Sequence, residues 1–192
     1  GGSILALLAA MAKMSKIKIL RVIANVYVEV IRGTPMMLQI VILYLCGPVI
    51  TRTLFHYVFT PNPLVVGTIA IGINSGAYTS ELFRSAIQSI DKGQMEAGKV
   101  LGLSYIQTMR LIIIPQSIRR LIPPVGNEFI MMLKDASLVS IIALADITKV
   151  TRSIQSSTAS SLVYIPAMIL YLIITAVFTL LFHCLEKKNT YE

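Results

Sequence analysis

Residues 96–115 read EAGKVLGLSYIQTMRLIIIP. With Glu96, Lys99, Arg110 and two glycines, this stretch is too polar for lipid, yet it interrupts a chain otherwise made of strongly apolar runs. Its polar signals are ordered. Asp91, just upstream, is a candidate N-cap for a first short helix, with Gln94 at its third helical position. That helix runs toward Leu101 and stops at Gly102, the residue suited to a left-handed C-terminal cap. Ser104 caps a second helix that leads toward a kink at Pro115. The pattern predicts a helical hairpin over about residues 91–111, presenting Glu96 and a nearly flat face at Ala97 and Gly98. Such a shape suits docking into a groove on another protein. A solvated loop is the plainer alternative, but loops rarely carry so regular a cap-and-stop pattern.

The rest of the chain explains why a hairpin is needed outside lipid. Of 192 residues, 55% are hydrophobic and 14% charged, and the mean hydropathy is +0.76. These values exceed what a soluble domain of this length shows and predict a single polytopic membrane domain over residues 1–192. Backbone in hydrocarbon must satisfy its own hydrogen bonds, and runs such as LVVGTIAIGI (64–73) lack strand-like alternation, so the fold is expected to be all-α. Five spans are expected. The first is truncated, because residues 4–12 are apolar but fall short of the roughly 20 residues a span requires, so the chain is expected to begin partway through that helix. Residues 13–32 form an amphipathic helix at the interface or entering the next span. The second span covers 36–50, reaching full length only with the turn before Pro35. The third covers about Leu64 to Phe83, and the fourth Ile112 to Leu133, kinked by Pro115, Pro123 and Pro124. The fifth runs from Leu162 to about Leu185.

With the C-terminus cytoplasmic, 13 of the 17 basic residues fall on the inside: Lys13, Lys16, Lys18, Arg21, Arg32, Arg84, Lys92, Lys99, Arg110, Arg119, Arg120, Lys187 and Lys188. The opposite orientation reverses that bias and is rejected. The net charge of +8 is therefore membrane topology, not a nucleic-acid footprint. Tyr44, Tyr57, Tyr164 and Tyr171 are candidate interface anchors. Cys46 and Cys184 lie in separate apolar runs without metal-ligand spacing and read as small buried hydrophobes. No metal site and no catalytic group is expected.

Two motifs mislead. GQMEAGKV (93–100) has the G-x-x-x-x-G-K spacing of a phosphate loop, but Val100 stands where a hydroxyl should hold magnesium, and no strand precedes it. Ser75 in GINSG (72–76) invites comparison with intramembrane serine proteases, but the G-x-S-G spacing is absent, and His56 and His183 lie near predicted helix ends. An intramembrane hydrolase is disfavoured on these grounds. Gly72 and Gly76, with Ser80 one turn on, form a small-residue face for close helix approach. That face serves either the translocation path and a partner subunit or internal packing. Asn74, Ser75, Glu81, Asn127, Glu128, Lys134 and Asp135 are polar groups at or near membrane depth, where such groups are costly and suggest function. One reading sets some of them around a zwitterionic amino acid, with carboxylates facing its ammonium. The other has them snorkelling or holding a broken helix together.

Glu96-Ala97-Gly98, Gly102, Ile112 and Ile114-Pro115 stand at the spacing of the EAA motif of binding-protein-dependent ABC importer permeases. Gly98 replaces the usual alanine and Ile114 the common leucine. RGTPMMLQI, NSGAYTSELFRSAIQSI, KGQMEAGKVLGLSYIQT, PQSIRRLIPPVGNEFI and LKDASLVS extend the resemblance over about residues 20–155, to the branch for polar amino acids of the histidine, glutamine and arginine type. The resemblance implies a type I importer transmembrane domain in a bacterial cell membrane. It implies a second permease copy or homologue, two cytoplasmic ATP-binding subunits that hold ATP and magnesium, and an extracytoplasmic amino-acid-binding protein. No cofactor is implied on this chain. Transport then proceeds by alternating access, coupled through Glu96, Ala97, Gly98, Gly102 and Pro115. Glu96 is expected to orient the helix by hydrogen bonding, and Gly102 to permit the turn. The competing reading, a secondary transporter or channel without an ATPase, has no need of a preformed docking hairpin.

Overall fold

The computed structural model describes residues 1–57 and 60–190, with side chains through Lys187, so Lys188 of the basic tally lies outside the described side chains. The described residues form helices and no strand. Helix α1 (Gly2–Met14) and the amphipathic α2 (Lys18–Arg32) are separated by an extended Ser15, so residues 13–32 are not one helix. The second span, Met36–Phe55, comprises α3 (Met36–Val41), a π-helical turn (Ile42–Cys46) and α4 (Gly47–Phe55). Its extra length comes from beyond residue 50. Pro35 is extended and caps the start, which overturns the expectation that the turn before it completes the span.

Helix α5 (Pro63–Gln88) is 26 residues long, roughly 39 Å at 1.5 Å per residue. It outruns the expected end at Phe83 by more than a turn. Asn62 caps it by accepting from the Leu64 amide at 2.9 Å, with Pro63 in the first turn, where its missing N–H costs nothing. After α6 (Lys92–Val100), the chain runs helically from α7 (Tyr105–Thr108) through a second π turn (Met109–Ile113) into α8 (Ile114–Asp135). The fourth span therefore starts at the hairpin itself rather than at Ile112. A 3₁₀ segment (Ala136–Ile142) and α9 (Ile147–Thr158) occupy the polar stretch before α10 (Tyr164–Thr190).

Both π turns have the same cause. Each ends just before a proline, Pro48 or Pro115, whose ring would strike the carbonyl four residues back. Those carbonyls, on Tyr44 and Leu111, lie inside the π turns, where the widened helix gives the ring room.

Met36–Phe55 and Ser161–Lys187 are long and apolar enough to cross a membrane by composition alone. The helices α5 and α8 carry more polar groups and are shielded by neighbours. Helix α1 lies parallel to α5 along the small-residue face. A Cβ on Gly2 would come within 3.0 Å of the Gly72 carbonyl oxygen, and one on Gly76 within 2.9 Å of the Tyr27 hydroxyl and 3.1 Å of Leu5. Ala6, Ala9, Ala10, Ala77 and Ser80 are buried, and the Tyr27 hydroxyl donates to the Ile73 carbonyl at 2.6 Å. Of the two uses weighed for Gly72, Gly76 and Ser80, the geometry is that of packing within the chain. Gly76→Val should cost about 1–3 kcal/mol through overpacking. A thermal unfolding midpoint of the purified protein unchanged by this substitution would contradict that packing.

At the other end of α5, Ile40, Ala70, Val139 and Ile142 form a core that fixes the 3₁₀ segment against α3 and α5. Helix α10 joins through α8, where a Cβ on Gly126 would lie 2.9 Å from the Phe182 ring. Its remaining surface is broadly exposed and apolar, and so are Cys46 and Cys184, which are exposed rather than buried in a core. An apolar surface of this kind suits lipid.

Candidate functional site: a capped hairpin and a charged cavity

The hairpin is built by local hydrogen bonds. The Asp91 carboxylate accepts from the Gly93 amide at 2.6 Å and caps α6. Gln94 does not complete a capping box there; its side-chain oxygen accepts from Gln116 at 3.3 Å, tying α6 to α8. Helix α6 ends in a paired carbonyl clamp. The Leu103 amide donates to the Gly98 carbonyl and the Gly102 amide to the Lys99 carbonyl, each at 3.0 Å, with Gly102 at φ +76°. The capping box belongs to the second helix. The Gln107 amide donates to the Ser104 hydroxyl at 3.3 Å, and the Ser104 amide donates to the Gln107 side chain at 2.8 Å.

Two expectations for this hairpin are corrected. Gly98 is buried rather than part of a flat outer face. A Cβ there would lie 2.6 Å from Thr108 Oγ1 and Cγ2, so the glycine is what lets α7 close on α6. Glu96 is exposed and makes no hydrogen bond or ion pair among the described residues; the caps at Asp91 and Gly102 orient the helix instead. Ala97 is exposed as expected. The apex carries Val100, Leu101, Tyr105 and Ile106, between 69% and 87% exposed. Exposed apolar side chains gathered at the end of an otherwise polar hairpin mark an interaction surface. In sequence Val100 stands out only as a mismatch to a phosphate loop and Leu101 only as a helix end, and nothing marks Tyr105 or Ile106. Pro115 lies in the first turn of α8, where its π turn absorbs it.

Gly98→Ala should therefore destabilise the hairpin by about 1–3 kcal/mol, because the new methyl overlaps Thr108. Adding Thr108→Ala should restore it, since only the Thr108 Cβ, at 3.2 Å, then remains close. The unfolding midpoints of the single and double variants measure this; a double variant no better than Gly98→Ala alone would contradict the packing.

Between α3, α5 and α8 lies a cavity of about 520 Å³. Its walls hold Arg32, Thr34, Asn74, Tyr78, Glu128 and Asp135, with Met36, Met131 and Leu138 as apolar surface. Helical spacing selects these groups. Glu128, Met131, Asp135 and Leu138 fall on one face of α8 and its extension, whereas Asn127 and Lys134 turn away and are exposed. Asn74 is 9% exposed and donates to Gln39 at 3.0 Å. The Gln39 amide in turn donates to the carbonyls of Ile31 and Thr34 and to the Thr34 hydroxyl, which fixes the break between α2 and α3. Arg32 lies 5.2 Å from the centre of the Tyr78 ring, a cation–π distance.

Arg32, Gly33 and Tyr78 also line a second cavity of about 400 Å³, which holds Lys13, Glu29 and Glu81. Glu81 is engaged there by Lys13 and by Arg84, the latter at 2.7 Å. It does not line the first cavity. Ser75 faces elsewhere again, onto an apolar hollow with Gly72 and Met132. Of the seven polar residues singled out from sequence, Asn74, Glu128 and Asp135 come together. Arg32, Tyr78, Thr34 and Gln39 join them unforeseen; in sequence they stand only within the runs RGTPMMLQI (32–40) and NSGAYTSELFRSAIQSI (74–90) that carry the family resemblance.

The family described as binding-protein-dependent transport system inner membrane component matches residues 2–191. The chain belongs to this family. This permease is 38% identical over 189 residues to the L-cystine transport system permease protein TcyB of Bacillus subtilis (strain 168), covering 97% of this chain and 78% of that one. It is 37% identical over 189 residues to the glutamine transport system permease protein GlnP of Escherichia coli (strain K12), covering 98% and 84%. A crystal structure of an amino acid ABC transporter with histidines aligns with TM-score 0.88 at 38% identity, covering 97% of this chain and 85% of that chain. An inward-facing MetNI methionine ABC transporter aligns with TM-score 0.75 at 14% identity, covering 98% and 85%, and shares the fold. The all-α architecture is that of type I ABC importer transmembrane domains, and the permease is a membrane component of an ABC importer.

Proposed function

We propose that this permease translocates a polar amino acid by alternating access, paired with a second copy or a close homologue. The cavity at Arg32, Glu128 and Asp135 carries the proposal, because it offers a cation and two carboxylates at once. A zwitterion needs both: Arg32 receives its carboxylate, Glu128 and Asp135 its ammonium, and the Asn74–Gln39 pair holds the wall. The naming of TcyB and GlnP for cystine and glutamine supports a polar amino acid as cargo.

Two ATP-binding subunits dock on α6 and α7 at the apolar tip and the Ala97 face, and ATP with magnesium is held by those subunits. A binding protein delivers the amino acid from the opposite side, and the C-terminus is cytoplasmic, in keeping with the basic bias of the hairpin side. The cycle is derived from this chain's parts. Closure of the ATP-binding subunits moves the hairpin; the continuous helix from 105 to 135 carries that movement directly to Glu128 and Asp135. Arg32 and Tyr78 line both cavities whereas α8 lines only the first, so a displacement of α8 reshapes the first cavity against a wall it shares with the second.

The test is reconstitution of the assembled transporter in proteoliposomes with its binding protein. Accumulation of labelled amino acid should require hydrolysable ATP and magnesium on the hairpin side. Accumulation driven by an ion gradient without ATP would overturn the proposal in favour of a secondary carrier.

A further inference from the structure

A third cavity, of about 630 Å³, lies between α1, the end of α5 nearest the hairpin, α7 with the π turn that follows it, and the start of α8. Unlike the other two it is apolar, with Leu7, Met11, Ile87, Met109 and Ile118 among its walls. Its Ser117 hydroxyl is already spent on the Ile113 carbonyl at 2.7 Å. One charged side chain lines it. Arg110 is exposed, and its guanidinium has no hydrogen bond or ion pair with any described residue. It lies one turn past Tyr105 and Ile106 of the hairpin apex, which line the same cavity.

An apolar slot with an unpaired guanidinium in its lining is complementary to a molecule with a hydrocarbon tail and an anionic head. A soluble anion would satisfy Arg110 and leave the slot bare. An apolar helix from another chain would fill the slot and bury the guanidinium without a partner, which is costly. Methionines suit a flexible chain, because their unbranched thioethers adapt to irregular shapes. We propose that this cavity holds one acyl chain of a net-anionic glycerophospholipid from the leaflet at the hairpin end, with its phosphate on Arg110. The lipid would then rest against the π turn Met109–Ile113, the joint between hairpin and span. The inference does not depend on what the permease transports.

The experiment uses the assembled transporter in bilayers containing photoactivatable phosphatidylglycerol or phosphatidylcholine, each with a diazirine on its acyl chain. Adducts are mapped by peptide mass spectrometry. The expected result is phosphatidylglycerol adducts concentrated on peptides holding Met11, Met109 and Ile118. Arg110→Gln should lower them about fivefold relative to phosphatidylcholine, the effect of removing one cation near an anionic lipid. Ile118→Trp, which fills the slot and leaves Arg110 in place, should lower both. Three results would overturn the proposal: equal labelling by the two lipids in the unmodified protein, labelling spread evenly over lipid-facing surfaces such as α10, or cross-links from these peptides to a second permease copy in place of lipid.

Discussion

Gly102→Val is expected to disconnect the permease from ATP hydrolysis. Gly102 holds φ +76°, a conformation that costs an ordinary L-residue roughly 1–2 kcal/mol and a β-branched one more. Nothing lies within 4 Å of where its Cβ would be, so the penalty is one of backbone alone. To escape it, the chain must leave the left-handed region and give up the Leu103 to Gly98 and Gly102 to Lys99 hydrogen bonds. Val100, Leu101, Tyr105 and Ile106 then lose their common tip. Co-purification with the ATP-binding subunits and ATP-driven uptake should fall on the order of tenfold or more, since 1.4 kcal/mol of docking free energy is a factor of ten. Gly102→Asn is the control, because asparagine tolerates the left-handed region, and most function should survive it. Undiminished association and uptake in the valine variant would sink the coupling role.

Glu128→Gln combined with Asp135→Asn should abolish uptake while leaving the hairpin and its docking intact. Each carboxylate is expected to make a charge-assisted contact worth about 1.5–3 kcal/mol, so losing both should weaken transport on the order of a hundredfold or more. The controls lie on the same helix. Lys134→Gln and Asn127→Ala face away from the cavity and should leave uptake near its original level. Association with the ATP-binding subunits should be the same in all four backgrounds. Uptake retained by the double variant, with normal assembly, would remove the cavity from the transport path. Uptake lost in the Lys134 and Asn127 variants as well would point to a general disturbance of α8.

The hairpin was legible because its determinants are local. An N-cap accepts from an amide two residues on, a capping box spans three residues, and a left-handed cap needs one glycine at one position. Asp91, Gly102 and Ser104 therefore announce themselves in a linear reading. The apolar spans were legible for a similar reason, since mean hydropathy over about 20 residues is all the bilayer requires. Boundaries were less so. Pro115 predicts a kink and Pro48 falls inside the expected second span; both helices continue through a π turn, because its wider turn relieves the steric conflict at the cost of one extra residue in the helix.

Gly98 shows the limit. In sequence it is an alanine position filled by glycine, with no sign of which way it faces. Only the fold places Thr108 against it and turns an apparent docking surface into a packing contact. The charged groups divide in the same manner. Hydropathy marks Glu81 and Glu128 alike as costly, and the partner decides between them. Glu81 meets Lys13 from a helix 68 residues earlier in the chain, whereas Glu128 faces a cavity across from Arg32. The sequence by itself determined the all-α membrane architecture, the hairpin and the turn at Gly102, because these depend on hydropathy and on hydrogen bonds a few residues apart. The tertiary structure alone decided the cavity, its Arg32 and Tyr78, the inward face of Gly98 and the engagement of Glu81. Those depend on which helix faces meet, and burial energy that is nearly uniform among apolar helices in lipid leaves that choice to small residues and side-chain shape.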